Sequence, residues 1–210
     1  PDSDVVLSII SSDTGEATVT SSLTFTSANW DTAQTVTVTG VDDHLVDGTE
    51  TSTITIAVVD VASDNNFDDV ADQTVSVSTT DDDVAGFTIV ELEGSTAVDE
   101  SGTTDTFTVV LNAQPDSDVV VAITSSDTGE ASSNSPLTFT SSNWDTAQTV
   151  TVTGVDDFLL DGTITSDLVV AIVDASSDNN FDGVADQTVS VSTTDDDVAG
   201  FTVAETEGST

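Results

Sequence analysis

Apolar and polar residues alternate along most of this chain with a period of two, in runs that are short. Between residues 84 and 197 seven such runs occur, at 86–91, 104–112, 117–123, 136–140, 147–154, 166–173 and 186–193. Each is rich in Val, Thr, Ile or Phe and is bounded by Asp, Asn, Gly or Ser, the pattern of half-buried strands closed by turns. No stretch sustains a helical period. About seven short strands in roughly 110 residues predict an all-β fold, an antiparallel β-sandwich of immunoglobulin-like type. Thr and Ser on the outward positions suit the solvated faces of such sheets.

The pattern is written twice. Residues 1–96 recur at 115–210 without insertion or deletion, 74 of the 96 pairs being identical and 22 different. Near-identical tandem units of 114 residues mark a repeat array. The complete unit is expected at 84–197, closed by Asp195-Asp196-Asp197 as its predecessor is closed by Asp81-Asp82-Asp83. Residues 1–83 then form a repeat lacking its first strands, and 198–210 the opening strand of a third. The plainer reading is that the polypeptide continues in both directions. The alternative is that the strand at 201–206 of one chain completes residues 1–83 of another, since open sheet edges invite pairing.

Composition narrows the function. The chain has no Lys, Arg, Cys or Met, and 40 acidic residues, 32 Asp and 8 Glu, give a formal net charge of −40. Nucleic acid and anionic lipid recruit basic surfaces, so neither is an expected partner. So much charge often means disorder, but 36% hydrophobic residues in strand patterns argue against it here. Asp disfavours strand interiors and prefers turns, which concentrates the charge at strand ends. Two carboxylates about 4 Å apart repel by roughly 4 kcal/mol at an effective dielectric near 20. Clusters of them call for a cation, and Ca2+, which takes 6–8 oxygen ligands, is the natural one. In a chain without disulfides a metal is also an available staple. No run of about 18 apolar residues is present, so membrane insertion is not expected.

Three acidic clusters recur in each unit. One follows the fifth predicted strand, as Asp42, Asp43 and Asp47-Gly48 and again as Asp156, Asp157 and Asp161-Gly162. The second is the triple Asp that ends each unit. The third lies at 64–72 and 178–186, and its second copy places Asp178, Asn180, Asp182, Gly183 and Asp186 at positions 1, 3, 5, 6 and 9 of an EF-hand type loop. Val189 stands where that loop has its last acid, Asp69 replaces the glycine in the first copy, and the flanking elements are strands. Two readings stand open for this loop, a calcium site at Asp178, Asn180 and Asp182 or a polar Asx-turn needing no metal.

The segments "LTFTSSNWDTAQTVTVTGVDD" and "QTVSVSTTDDD", with the order of acidic Gly-flanked loop and terminal Asp triad, resemble the Calx-beta domain. The resemblance spans 84–197 and most of 1–83. It implies a seven-stranded sandwich that binds calcium among acidic loops at one end. Carried over by motif, Glu100, Asp156, Asp157, Asp161, Asp195 and Asp197 are the implied ligands of the complete unit. Asp42, Asp43, Asp47, Asp81 and Asp83 match in the other, whose glutamate partner would precede Pro1. The loop at 178–186 is a departure from the family. Such a site would sit at the junction with the next domain, where Glu91, Glu93, Glu205 or Glu207 could assist, so that calcium would lock neighbouring repeats into a rod.

Catalytic chemistry is not expected. His44 is the only histidine and its counterpart is Phe158; Trp30 and Trp144, in the repeated NWDTAQ, suit a plug for the sandwich edge better than a sugar platform. The leading expectation is a structural segment of a long, secreted cell-surface or extracellular filament protein. It resembles the extender regions of bacterial biofilm adhesins and surface layers, and its partners would be neighbouring repeats or identical chains in a filament or layer. The alternatives are a glycan- or protein-binding module of a surface receptor and a calcium-sensing regulatory domain. The 22 differences between copies scatter, with no concentration in one set of loops, which favours a scaffold over a tuned receptor.

Overall fold

The structure is a computed structural model and describes residues 1–204; Glu205 and Glu207 lie outside the described residues. The chain divides into two compact units, Pro1–Asp83 and Val84–Thr210, and the division falls directly after an Asp triad. The protein is all-β. No described helix is long and apolar enough to cross a membrane.

The first unit contains β1 (Val5–Ser11), β2 (Ala17–Val19), β3 (Ser22–Phe25), β4 (Val38–Gly40), β5 (Thr49–Val58) and β6 (Gln73–Thr80). They form a four-stranded sheet in the order β3-β1-β5-β6 and a two-stranded one, β2-β4. The second unit contains β7 (Phe87–Glu91), β8 (Thr96–Asp99), β9 (Thr104–Leu111), β10 (Val119–Ser125), β11 (Ala131–Ser133), β12 (Leu137–Phe139), β13 (Gln148–Gly154), β14 (Ile164–Ile172) and β15 (Gln187–Thr194). Here the sheets are β12-β10-β14-β15-β8 and β11-β13-β9-β7.

Period-two alternation explains the core of the second unit. Phe107 and Val109 on β9, Val150 and Val152 on β13, Leu168 and Val170 on β14, and Val189 and Val191 on β15 are all buried, while the residues between them face outward or the sheet edge. Phe139 and Phe181 fill the same core.

Two short strands, β8 and β11, join the seven that the pattern predicts. With four and three residues they are too brief to show an alternation, and both arise where the chain changes sheet. After β7, Glu93 at φ 61 and Gly94 at φ 81 turn the backbone left-handed, a conformation that glycine adopts without steric cost. The chain then enters the other sheet as β8, which pairs with β15 in parallel; the other strand pairs of this unit are antiparallel.

β1 to β6 are the counterparts of β10 to β15, and residues 1–83 contain no counterpart of β7, β8 and β9. The effect on β4 is direct. β13 runs for seven residues because β9 pairs with it along Gln148–Thr153, whereas β4 has only the β2 pairing and runs for three.

Candidate metal centre

Strand register brings the acidic loops to one pole of the second unit. Thr153 pairs with Thr104, Ala131 with Gly154, Ile164 with Thr193, and Thr194 with Asp99. The start of β9, the end of β13, the starts of β11 and β14, and the ends of β8 and β15 therefore coincide. Residues 100, 130, 155–163 and 195–197 all follow or precede those ends, so sequence positions almost a hundred residues apart converge.

Gly154 makes the convergence possible. Its N–H donates to Thr103 O at 3.0 Å, and a Cβ built on it would lie 2.0 Å from Asp99 O. Only a residue without a side chain lets the 99–103 turn lie against the end of β13. Glu100 N donates in turn to Thr194 O at 3.1 Å, which seats Glu100 beside the Asp triad.

Two sets of carboxylates result: Glu100 with Asp157 and Asp197, and Glu100 with Glu130 and Asp161, the potential ligand oxygens of each set lying within 4.8 Å of one another. Glu100 belongs to both and is 1% exposed. Among the described residues neither of its carboxylate oxygens has a hydrogen-bond partner, nor does Glu130 Oε2 or Asp197 Oδ2. Burial, and then the charges of Asp157, Asp195, Asp161 and Glu130, push the Glu100 carboxyl up to about 7. Burial and the neighbouring Asp161 and Asp127 raise Glu130, and burial with Asp195 and Asp196 raises Asp197. Asp195 differs. It accepts Gly162 N at 2.8 Å and Asp197 N at 2.7 Å, bonds that hold its carboxyl below the ordinary range and tie the 155–163 loop to the triad.

Oxygens bound to one calcium at about 2.3–2.6 Å lie within about 5 Å of each other, so both sets match the spacing a calcium ion requires. A buried carboxylate with no donor is costly unless a cation meets it, and no Lys or Arg exists to do so. The donor set is entirely oxygen, which suits a hard cation. The residues present thus fit Ca2+, with Glu100 placed to bridge two positions.

The first unit has no counterpart of Glu100 and groups its carboxylates differently. Glu16, Asp43 and Asp47 form one set, and Asp42, Asp82 and Asp83 another. Asp81 accepts Gly48 N at 2.9 Å and Asp83 N at 2.7 Å, as Asp195 does in the second unit. The carboxylates line a cavity of 540 Å³ together with Val38 and Val77.

Glu130, Glu16 and Asp82 are not among the ligands expected from the sequence. Glu130 and Glu16 sit one residue before β11 and β2, strands too short for the sequence pattern to reveal, and so carry no acidic-run signal, whereas Asp82 lies inside the triad. Asp156 belongs to neither set, Asp195 organises the loop through backbone donors, and neither Glu91 nor Glu93 joins a cluster among the described residues. Glu91 Oε2 accepts from Thr96 Oγ1 at 2.9 Å.

The 178–186 loop is a capped turn. Asp178 accepts Asn180 N at 2.9 Å and Ser117 N at 2.9 Å at the head of the single turn Asn179–Phe181, which buries Phe181. Burial pushes the Asp178 carboxyl up, but the backbone bonds from Asn180, Ser117 and Asp116 outweigh it and hold it low. Asp178 and Asp182 belong to none of the four acidic sets. The Asx-turn reading accounts for this geometry. Asp178→Ala is expected to cost about 1–2 kcal/mol of stability, as loss of an N-cap does, and to leave any calcium-dependent rise in melting temperature unchanged. Paired thermal melts with calcium and with chelator check both parts.

No protein-family model and no curated protein sequence matches the chain. Solved structures do. Domains 4 and 5 of the S-layer protein SbsC match at 17% identity and TM-score 0.42, over 90% of this chain and 70% of that one. A longer piece, SbsC domains 4–9, matches at 19% identity and TM-score 0.41, over 95% of this chain and 23% of that one. The apo form of the Calx CBD1 domain matches at 15% identity and TM-score 0.37, over 53% of this chain and 98% of that one.

Proposed function

We propose that this chain is a structural segment of a long extracellular or cell-surface protein, built of β-sandwich repeats that bind calcium at one pole. The observation that carries the reading is Glu100, buried, without a hydrogen-bond donor on either oxygen among the described residues, and shared by two sets of carboxylates. A cation there would join the 99–103 turn, the 155–163 loop and the 195–197 triad, three segments whose carboxylates repel one another without one. Because the triad ends one repeat and the next begins at Val84 or Val198 with almost no linker, the ion would also stiffen the junction. Extracellular modules of this kind bind calcium with dissociation constants of about 10⁻⁴–10⁻³ M, matched to the concentration outside cells. The role is one of scaffolding; we assign no catalytic step.

The test is a thermal melt of the chain in calcium and in chelator. Ligand at about a hundred times its dissociation constant stabilises by roughly 2.7 kcal/mol, so calcium is expected to raise the transition by several degrees. Magnesium, which demands tighter octahedral geometry, is expected to do less. A melting curve indifferent to calcium would sink the proposal.

A further inference from the structure

Residues 84–197 are entered at one pole and left at the other. β9 begins at the acidic pole and ends at Leu111, which pairs with Phe87, the first residue of β7. The chain therefore enters β7 at the pole opposite the acidic one and leaves β15 at the Asp triad. Tension along the polypeptide draws these two points apart along the strand axes. Its shortest path runs through β7 and the 92–95 turn into β8, and from β8 across to β15, the strand that leaves the unit.

β8 and β15 are parallel, with Thr96–Asp99 beside Val191–Thr194 in register. Tension draws β8 back toward the entry pole and β15 out through the acidic pole, so one strand slides along the other. Every ladder bond is then stretched at once, whereas strands pulled apart from one end lose their bonds singly. The ladder is also dry. Thr96, Val98, Val191 and Thr193 are each at most 5% exposed, which keeps water from replacing a strained bond. The outer edge of β8 is held too, because Asp105 Oδ2 accepts Ala97 N at 2.8 Å and Thr103 Oγ1 accepts Asp99 N at 2.7 Å. With those two amides engaged on that side, alternation turns the amides of Thr96 and Val98 to β15. Gln187 Nε2, at the start of β15, donates to Phe87 O at 2.8 Å and ties the entering strand to the leaving one.

We infer that the parallel β8–β15 pair is a mechanical clamp, which lets the repeat carry tension along the polypeptide without unfolding. Its use under tension rests on the reading of the chain as one link in a string of repeats. The acidic pole closes the clamp. Glu100 follows β8 and donates its N–H to Thr194 O at 3.1 Å, Asp197 follows β15, and the two belong to one carboxylate set. A calcium ion held there would tie the sheared strands together at their ends. That tie alone rests on the calcium reading; the resistance to shear rests on strand direction and register.

The chain has no Cys, so two introduced ones define the points of pull. The intact 210-residue chain is held at constant force in optical tweezers through Val84→Cys and Val198→Cys, both at exposed positions, which loads the unit in shear. A second version, Ser101→Cys with Val198→Cys, is held at two points of the acidic pole and peels β8 from β15. Unfolding under load is read as a lifetime. In chelator at one force, the shear geometry is expected to last at least about tenfold longer than the peel geometry, the factor given by one or two more net hydrogen bonds in the rate-limiting step. Val98→Pro, which removes a donor facing β15, is expected to shorten the shear lifetime at least about fivefold, the rate equivalent of one such bond. Calcium is expected to lengthen it at least about tenfold, and Glu100→Gln to abolish that gain while keeping the difference between the two geometries. A shear lifetime no longer than the peel lifetime overturns the clamp, whether or not Val98→Pro folds. So does a folded Val98→Pro chain with an unchanged shear lifetime. Lifetimes that differ between geometries but not between calcium and chelator support the clamp. If the thermal melt then also ignores calcium, the calcium reading falls; if the melt responds, only the tie across the clamp falls.

Discussion

In chelator, the stability of the unit that contains Glu100 is expected to fall as pH rises from about 5 to about 7, and Glu100→Gln is expected to remove most of that fall. The carboxyl is pushed from its ordinary 4.5 up to about 7, burial being the main cause and the surrounding carboxylates the next. A carboxyl whose folded pKa is raised binds its proton more tightly in the native state than in the unfolded one. Below the unfolded value both states are protonated and nothing is lost. Between the two values the unfolded state sheds the proton freely while the native state must hold it or ionise at a cost, so stability declines through this window and levels off above about 7. Glu130 and Asp197 are shifted in the same direction and add to the slope. Asp195 and Asp178, held low by backbone donors, act in the opposite sense at lower pH. Gln keeps the size of Glu and cannot ionise, so Glu100→Gln is expected to raise the melting temperature in chelator at pH 8. The same variant is expected to lose most of the calcium-dependent rise, because both carboxylate sets share Glu100. Calcium in turn is expected to invert the profile of the unaltered chain, since the ion takes the deprotonated ligand and its binding strengthens with pH. Calorimetric scans at half-unit pH steps, with calcium and with chelator, read all of these outcomes. A Glu100→Gln profile parallel to that of the unaltered chain in chelator would refute the assignment of the buried charge.

Most of the sandwich was legible in the chain because its core strands are long enough to alternate. Residues 104–112, 147–154, 166–173 and 186–193 each carry two or more inward Val, Phe, Ile or Leu at period two, and each is a strand within two residues at either end. What escaped was the pair β8 and β11, set by sheet changes and pairing partners with no hydrophobic signature of their own. The site followed the same division. Asp157, Asp161 and Asp197 stand in acidic runs that any reading of charge would notice, and the Calx-beta resemblance supplied Glu100. Glu130 has no acidic neighbour closer than Asp127. It reaches the site only because β11 pairs with the end of β13, a fact of register that no local pattern carries. The 178–186 loop carries two readings in its sequence. Asp, Asn and Gly at calcium-loop spacing are also the residues of capped turns, and only the buried Phe181 and the donors from Ser117 and Asn180 distinguish the two.

Gly154→Ala is expected to destabilise the second unit by about 3 kcal/mol, at the upper end of what overpacking costs, while Gly40→Ala at the equivalent position is expected to change stability by no more than about 0.5 kcal/mol. The sequences around the two glycines are the same, so propensity predicts no difference. Their surroundings differ. A Cβ on Gly154 would lie 2.0 Å from Asp99 O and 2.7 Å from Asp99 C, and backbone cannot swing aside as a side chain can. A Cβ on Gly40 would meet only Thr79 Cγ2, at an ordinary 3.7 Å. The clash at 154 is relieved only by moving the 99–103 turn, which carries Glu100 away from Asp157 and Glu130, so the calcium-dependent gain is expected to vanish along with the stability. Fluorescence of Trp144 in a Trp30→Phe background isolates the second unit, and Trp30 in a Trp144→Phe background the first. Equal effects at both glycines would show that the close approach of the 99–103 turn is not what the glycine serves.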